Sequence, residues 1–144
     1  MGELLLILRL AGERVAVAAA DVEAVVEIEA LTPVPRAAPH VAGLAALRSR
    51  VLTVIDCLAS LEPGRRRDKE AGEAIVVVAD GHPYALLVDG VEDVIEASGE
   101  VRAVRTALSG GWRRVARGMV EADGDLLLLA DVHALIAGPA AEAA

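Results

Sequence analysis

Short apolar runs separated by turn residues make up most of the chain. The stretch LLLILRLAGERVAVAA (residues 4–19) contains two such runs joined at Gly12, and this loop length and glycine content predict a β-hairpin. The stretch IVVVADGHPYALLV (residues 75–88) repeats the arrangement around Asp80 and Gly81. The pattern therefore predicts two hairpins, one at the start of the sequence and one near its middle.

The segment DVEAVVEIEA, which follows the first hairpin, has an ambiguous period. The spacing of Val22, Val25 and Val26 fits one turn of a helix, whereas the alternation from Val26 to Ile28 fits a strand. The next residues, LTPVP, cannot continue a helix because the residue before a proline disfavours helical backbone. We therefore expect extended chain there.

Each half of the chain ends in a Val/Leu-rich strand that leads into a short helix. In the second half Asp131 is placed to cap a helix that runs through residues 134–136, and Gly138 and Pro139 are placed to stop it. The residues after Gly138, PAAEAA, are expected to form a frayed tail.

The chain resembles a duplication. Residues 15–28 align without a gap onto residues 84–97, and residues 51–61 align onto residues 126–136, with a longer intervening loop in the second half. Chance similarity between valine-rich segments is the alternative. Two blocks in the same order favour duplication. The paired positions include Gly12 with Gly81, Gly43 with Gly118, and Asp56 with Asp131.

This organisation predicts an all-β fold with minor α content. About five short strands in each repeat, with few residues left for helix, point to two small β-barrel lobes packed together and a short C-terminal helix. We place the lobes at about residues 10–70 and 71–135, and the arrangement allows strands at the chain ends to exchange between them. The best candidate for a linker is PGRRRDKEAGE, residues 63–73.

Composition and charge exclude several classes of function. The net charge of −8 opposes attraction to nucleic acid, and a chain with one Trp, one Tyr and no Phe offers few platforms for base stacking. The apolar run at the N-terminus is too short to span a membrane and lacks the features of a secretory signal. A single cysteine, Cys57, suits a reducing compartment, so we expect a cytoplasmic protein without membrane insertion.

The sequence offers little that resembles catalytic chemistry. His40, His82 and His133 are scattered and form no metal-ligand spacing, and Cys57 follows an apolar strand with no histidine nearby to act as a base. No phosphate-binding glycine motif occurs, and Gly110-Gly111 is expected to be a loop. The chain is therefore predicted not to be an enzyme and to need no cofactor or metal.

Several ordered stretches resemble the CheW-like coupling proteins of bacterial chemotaxis. They are D-V-E-x-V-V-E-I, L-T-P-V-P and P-x-V-x-G-L-x-x-L-R-x-x-V-L-x-V-I-D in the first half. I-V-V-V, L-L-V-D-x-V-E-D-V, G-M-V and L-L-L-L-A-D-V follow in the second, so the resemblance covers residues 3–136.

The resemblance implies one CheW-like domain across residues 1–144, built from two SH3-like β-barrels. It further implies a non-catalytic adaptor that couples the cytoplasmic tips of chemoreceptors to a histidine kinase. The resemblance also implies that the regulatory domain of that kinase has the same fold and pairs with the adaptor end to end.

The resemblance also implies a receptor-binding groove formed by Val26, Glu27, Arg48 and Ser49. Arg48 lies in an otherwise apolar stretch, and the family pattern predicts that it pairs with Glu27 in a partly buried ion pair at this groove. The alternative is that Arg48 merely reaches solvent at a strand end. Arg50 is expected to be solvated.

Four positions in this segment depart from the family pattern. Ala46 and Ser49 replace the asparagine and glycine that flank the leucine-arginine pair, Thr53 replaces a proline, and Cys57 replaces the leucine that follows Asp56. These changes favour, as an alternative, a divergent regulatory module that binds only one partner, either a kinase or a response regulator. A small ligand-binding β-barrel or an enzyme is a further alternative and requires an enclosed pocket with converging polar groups.

Overall fold

The computed structural model describes residues 3–67, 72–105, 107–108 and 110–139. Within these residues the chain forms short strands and three short helices. The strands are β1 (Leu4–Leu10), β2 (Glu13–Ala18), β3 (Ala24–Ile28), β4 (Val41–Leu47), β5 (Arg50–Asp56), β6 (Gly72–Ala79), β7 (His82–Leu87), β8 (Gly90–Glu96), β9 (Ala116–Ala122) and β10 (Asp125–Ala130). The helices are α1 (Cys57–Leu61), α2 (Gly110–Val115) and α3 (Val132–Ala137).

The strands form two five-stranded sheets with the same topology. The first sheet has the order β8-β1-β2-β10-β9 and the second has the order β3-β6-β7-β5-β4. When β6–β10 are taken as the repeats of β1–β5, the two orders become identical. In each sheet the only parallel pair joins the second strand of one repeat to the fifth strand of the other, as in β2 with β10 and β5 with β7.

Each sheet takes strands from both halves of the chain. The β1–β2 hairpin of the first repeat lies in the sheet with β8, β9 and β10, whereas the β6–β7 hairpin of the second repeat lies with β3, β4 and β5. The two repeats therefore exchange their hairpins. The lobe boundaries at residues 10–70 and 71–135 stay a prediction about the sequence repeats, because the sheets cross them.

An isolated bridge closes each sheet into a barrel. Thr32, which follows β3, bridges Leu44 of β4, so the two ends of the second sheet meet. Arg102, which follows β8, bridges Met119 of β9 and closes the first sheet in the same way. The prediction of two small β-barrels with minor helix is confirmed.

Paired glycines permit these closures. Gly43 and Gly118 have φ angles of 152° and 155°, and a Cβ on either would lie 2.6 Å from the carbonyl oxygen of the residue that forms the bridge. Both positions coincide with aligned glycines of the sequence repeat. The close approach of backbone to backbone is therefore the physical reason for glycine here.

The barrels share a core that lies between them. Leu6, Leu8 and Leu10 of β1 pack in a cluster with residues of both sheets, whereas Leu5 and Ile7 of the same strand pack into the interior of the first barrel. Because β1 is buried on both faces, its sequence is a continuous apolar run and lacks the usual alternation.

The local predictions have mixed outcomes. The ambiguous segment forms strand β3, and Asp131 caps α3 with Gly138 at its end, as predicted. The expectation of a loop at Gly110-Gly111 is wrong, because these residues begin helix α2. The linker candidate includes residues 68–71, and the tail includes residues 140–144; both of these stretches lie outside the described residues.

Candidate functional site

A groove of about 570 Å³ opens on the second barrel between strand β3 and the turn that joins β4 to β5. Strand β3 pairs with β6 on one side, and its other side faces this turn. The groove is lined by Glu23, Ala24, Val25, Val26, Glu27, Leu47, Arg48, Ser49, Arg50, Leu52 and Val76. We refer to this set as the β3 groove.

The structure brings together the four residues that the sequence assigns to receptor binding. Val26 and Glu27 enter the β3 groove from β3, and Arg48 and Ser49 enter it from the β4–β5 turn. They are distant in sequence but share one cavity. Their contact with a receptor stays a prediction.

The expected ion pair between Glu27 and Arg48 does not form. Both side chains are exposed, and neither makes an ion pair with any residue that the structure describes. The ion pair at this groove joins Arg50 to Glu23 instead, so the expectation that Arg50 is merely solvated is also wrong. The physical reason is that a two-residue turn directs Arg48 to solvent, whereas Arg50 lies on the strand.

The turn itself is strained at Arg48. Its φ angle is 57°, in the left-handed region that L-residues avoid, whereas Ser49 is not among the described residues with positive φ. In the second repeat the aligned residues, Asp123 and Gly124, both have positive φ, at 53° and 83°. Ser49 thus stands where the second repeat has Gly124, and the two turns differ in conformation. In the first repeat only Arg48 of the two turn residues has a positive φ.

The groove combines an apolar base with charged edges. Leu52 and Val76 are buried, at 1% and 2% exposure, and Val25 remains 44% exposed. Glu27 and Arg48 supply one charge of each sign that no described residue neutralises. This arrangement can hold an apolar segment and orient it by charged groups at its edges.

The aligned region of the first barrel carries a different charge. Asp123 and Asp125 occupy the positions of Arg48 and Arg50, and Glu92 occupies the position of Glu23. Arg14 of β2 bridges Glu92 at 2.7 Å and Asp125 at 2.9 Å. The side-chain hydrogen bond from Arg14 is the main cause that lowers the pKa of Glu92.

The described residues contain no group of three or more His, Cys, Asp or Glu side chains that could hold a metal ion. Cys57 is fully buried, and burial raises the pKa of its thiol, which keeps the thiol protonated and unreactive. His40 is also buried and contacts the carbonyl oxygen of Ile136 through Nε2 at 2.7 Å. These groups serve packing in the seam between the barrels.

Sequence reasoning missed part of the groove. Leu47, Leu52 and Val76 line it, but their apolar pattern resembles that of any buried strand. Arg50 and Glu23 were not assigned to the groove. The sequence repeat contained a usable signal, because it aligns Glu23 with Glu92 and Arg50 with Asp125, which are the polar positions of the other barrel.

The topology and the groove define a class of protein: a two-barrel domain with an open, partly apolar binding surface. A family model for the CheW-like domain matches residues 4–140. The chain therefore belongs to the CheW-like domain family, as the resemblance predicted.

Individual relatives agree with this assignment. The chain is similar to the chemotaxis protein CheW of Rhizobium meliloti, with 28% identity over 78% of this chain and 74% of the relative. It is also 28% identical to the chemotaxis protein CheW of Thermotoga maritima, over 81% of this chain and 76% of the relative.

A solved structure supports the fold. The scaffolding protein TtCheW of Thermoanaerobacter tengcongensis superposes with a TM-score of 0.79 at 23% identity, over 94% of this chain and 92% of that chain. The two barrels are of the SH3-like kind, as expected. Among the described residues no helix is long and apolar enough to cross a bilayer.

Proposed function

We propose that this protein is a non-catalytic chemotaxis adaptor that couples the cytoplasmic tip of a chemoreceptor to a histidine kinase in the cytoplasm. Membership of the CheW-like family supports the chemotaxis role. At the level of residues the proposal rests on the β3 groove. Four of its lining residues lie on one surface: Val26, Glu27, Arg48 and Ser49. No nucleic acid, membrane insertion or cofactor takes part in this function.

The chemistry of the β3 groove suits an amphipathic helix of a receptor tip. An apolar stripe on such a helix fits against Val25, Val26 and Leu47, which keep exposed surface in the groove. Its flanking charges meet Glu27 and Arg48 at the edges. Because neither charge is neutralised by a described residue, binding a complementary pair does not require breaking an internal ion pair.

The ends of the barrels suit a partner that has the same fold, such as the regulatory domain of the kinase. Val51 of the second barrel is 61% exposed, and the aligned Leu126 of the first barrel is 52% exposed. Large apolar side chains that remain exposed at equivalent places are typical of protein interfaces.

A regulatory module that binds only one partner is the second candidate. The observation that favours it is the turn at Arg48 and Ser49, whose conformation differs from that of its repeat at Asp123 and Gly124. A changed turn alters the surface proposed for the receptor. An enzyme or small-molecule carrier requires an enclosed pocket with converging polar groups, and the β3 groove is open.

Calorimetric titration tests the proposal. The purified protein is titrated with the regulatory domain of a chemotaxis-type kinase from the same source, and separately with a receptor-tip fragment. We expect saturable binding to both, and we expect Arg48→Glu to weaken receptor binding by about tenfold or more because it reverses a charge at the groove. Arg117→Glu is the matched control, because Arg117 is an exposed arginine outside the groove.

Each result separates the two candidates. Kinase binding without receptor binding identifies the single-partner regulator. Absence of both interactions contradicts the adaptor proposal, and equal effects of Arg48→Glu and Arg117→Glu contradict the role of the β3 groove.

A further inference from the structure

A second pocket on the same barrel concentrates positive charge on an acidic protein. It has a volume of about 280 Å³ and lies between the loop that precedes β4 and the segment that follows α1. Three arginines and one aspartate line it, although the chain as a whole has a net charge of −8. The lining residues are Leu31, Pro33, Val34, Arg36, Ala37, Ala38, Pro39, Val41, Ala42, Asp56, Arg66, Arg67 and Leu87, and we call this set the arginine pocket.

Both carboxylate oxygens of the aspartate in the arginine pocket accept hydrogen bonds from backbone N–H groups. Asp56 is 7% exposed, and its Oδ1 accepts a hydrogen bond from the Ala59 N–H at 3.1 Å, as a helix cap does. Its Oδ2 accepts from the Arg67 N–H at 3.0 Å. The aligned Asp131 accepts hydrogen bonds from N–H groups of its own helix and lies 3.7 Å from the His133 ring. Within the described residues it makes no hydrogen bond like the one from the Arg67 N–H, so that bond is specific to the first repeat.

The arginines differ in how they are held. The Arg67 guanidinium lies against Gly72, where a Cβ would be 3.0 Å from Nη2. Arg36 and Arg66 are exposed, and neither pairs with a carboxylate among the residues that the structure describes. Arg36 also has a φ angle of 62°, a strained conformation that is enriched at binding sites. Two positive groups are thus displayed at the edge of the pocket.

The remaining surface of the arginine pocket is apolar and stiff. Leu31, Val34 and Val41 contribute aliphatic surface. Pro33 and Pro39 also line it, and a loop restricted by prolines loses less conformational freedom on binding. Inorganic phosphate would leave the aliphatic surface unused, and the cavity lies just below the range of about 300–1,000 Å³ that is typical of cofactor sites.

We infer that the arginine pocket binds a short acidic segment of a partner protein that carries an aliphatic side chain between its carboxylates. The aliphatic group enters the cavity, and the flanking carboxylates meet Arg36 and Arg66, where guanidinium groups match carboxylates in geometry and charge. The site is distinct from the β3 groove, so this interaction does not depend on the proposed receptor contact.

An NMR titration of the full-length, ¹⁵N-labelled protein tests this inference. The probe is the capped peptide Asp-Glu-Leu-Asp-Glu, compared with a peptide that has serine in place of leucine, a peptide that has lysine in place of each acid, and inorganic phosphate. We expect saturable shifts confined to residues 31–42 and 65–67 for the leucine peptide, and weaker binding for the other three.

Two neighbouring arginines provide a matched pair of variants. Arg66→Glu should weaken binding of the leucine peptide by about fivefold or more, because an attraction becomes a repulsion. Arg65→Glu makes the same change of charge at an exposed residue outside the pocket, and should change affinity by less than about twofold. Far-UV circular dichroism of both variants verifies that they remain folded.

Several outcomes overturn the inference. Equal effects of the two variants, or shifts spread over other surfaces, mean that any attraction is nonspecific. If phosphate or the serine peptide binds as tightly as the leucine peptide, the pocket recognises negative charge and not the aliphatic side chain. Shifts at the same residues that depend on protein concentration before peptide is added identify another copy of the chain as the occupant.

Discussion

At the scale of single residues, the backbone conformation of Arg48 explains why its side chain points to solvent. The residue lies in an apolar stretch of sequence, and the family pattern predicted a partly buried ion pair with Glu27. Its side chain is nevertheless exposed, and its φ angle is 57°. A left-handed L-residue costs about 1–2 kcal/mol relative to glycine. Conformational strain at a turn that lines the β3 groove is compatible with a role in binding.

The strain gives a prediction for stability. Arg48→Gly should raise the free energy of unfolding by up to about 1 kcal/mol, because relief of the strained φ exceeds the added freedom of the unfolded chain. Arg48→Ala should change it by less than about 0.5 kcal/mol, since no ion pair is lost. Urea denaturation of each variant measures these differences.

The neighbouring serine is the control. Ser49→Gly should lower the free energy of unfolding by about 0.5–1 kcal/mol, because glycine gains no strain relief there and loses more entropy on folding. A loss of stability in Arg48→Gly equal to that in Ser49→Gly would contradict the assignment of strain to Arg48.

The carboxylate of Glu92 gives a prediction for pH dependence. Its pKa is lowered from 4.5 chiefly by the hydrogen bond from Arg14. A lowered pKa in the folded state contributes stability that is present above pH 4.5 and is lost as the pH falls through the folded value. We therefore expect the stability of the wild type to fall in this acidic range more steeply than that of Glu92→Gln.

Thermal melts of the two proteins between neutral pH and the acidic range measure this difference. Glu3→Gln, at an exposed glutamate distant in sequence from Glu92, controls for the general loss of negative charge. Parallel curves for wild type and Glu92→Gln would show that the bridge from Arg14 does not contribute to folding.

At the scale of elements, barrel closure depends on the two aligned glycines. Gly43→Ala and Gly118→Ala should each lower the free energy of unfolding by about 2–4 kcal/mol, because a Cβ would collide with backbone that cannot move without opening the bridge. Gly12→Ala should cost only about 1 kcal/mol, since its φ is 82° but its Cβ position is open.

Chemical denaturation of the three variants separates close approach from conformational strain. If all three variants lost the same free energy of unfolding, the positive φ alone would account for the loss. The close approach of backbone at Gly43 and Gly118 would then not contribute. If Gly43→Ala and Gly118→Ala differed greatly, the two barrels would not be energetically equivalent in spite of their common topology.

At the scale of the whole molecule, one arginine joins the helices of both repeats. Arg114 of α2 donates to the carbonyl oxygen of Ala134 in α3, and to the carbonyl oxygen and Oγ of Ser60 in α1 at 2.8 and 3.1 Å. The Ser60 hydroxyl in turn donates to the Leu135 carbonyl oxygen at 2.8 Å. This network crosses the seam between the barrels.

Removal of that side chain should weaken the seam. Arg114→Ala should lower the free energy of unfolding by about 2–4 kcal/mol, because it leaves acceptors unsatisfied in a partly buried site. Arg113→Ala, at the preceding and more exposed residue, should cost less than about 0.5 kcal/mol. Comparable losses in the two variants would contradict the role of Arg114 as the link between the barrels.

The exchange of hairpins predicts that the repeats cannot fold separately. Fragments 1–69 and 70–144 should each lack a cooperative unfolding transition, because each sheet needs strands from both. An equimolar mixture should recover the circular dichroism spectrum and the transition of the intact chain. A stable, folded monomer of either fragment alone would show that one repeat can form a barrel by itself.

The sequence by itself determined the features that repeat locally. Hairpin turns, apolar strands, the Asp131 cap and the aligned glycines all leave signals within a few residues, and together they predicted two small barrels. The sequence repeat is consistent with the common topology of the two sheets, because equal apolar patterns bury equal faces. The four proposed groove residues were identified through family resemblance, and their placement in one cavity agrees with it.

Only the tertiary structure decided which repeat completes which barrel and which charges pair. Gly110 and Gly111 begin helix α2, and Gly111 packs so closely against the Leu61 carbonyl that a Cβ would lie 1.8 Å from its oxygen. Local sequence does not indicate that contact. Arg50 meets Glu23 while Arg48 does not meet Glu27, because the geometry of the turn fixes where each side chain points. Long-range contacts of this kind depend on positions in space that neighbouring residues in the sequence do not encode.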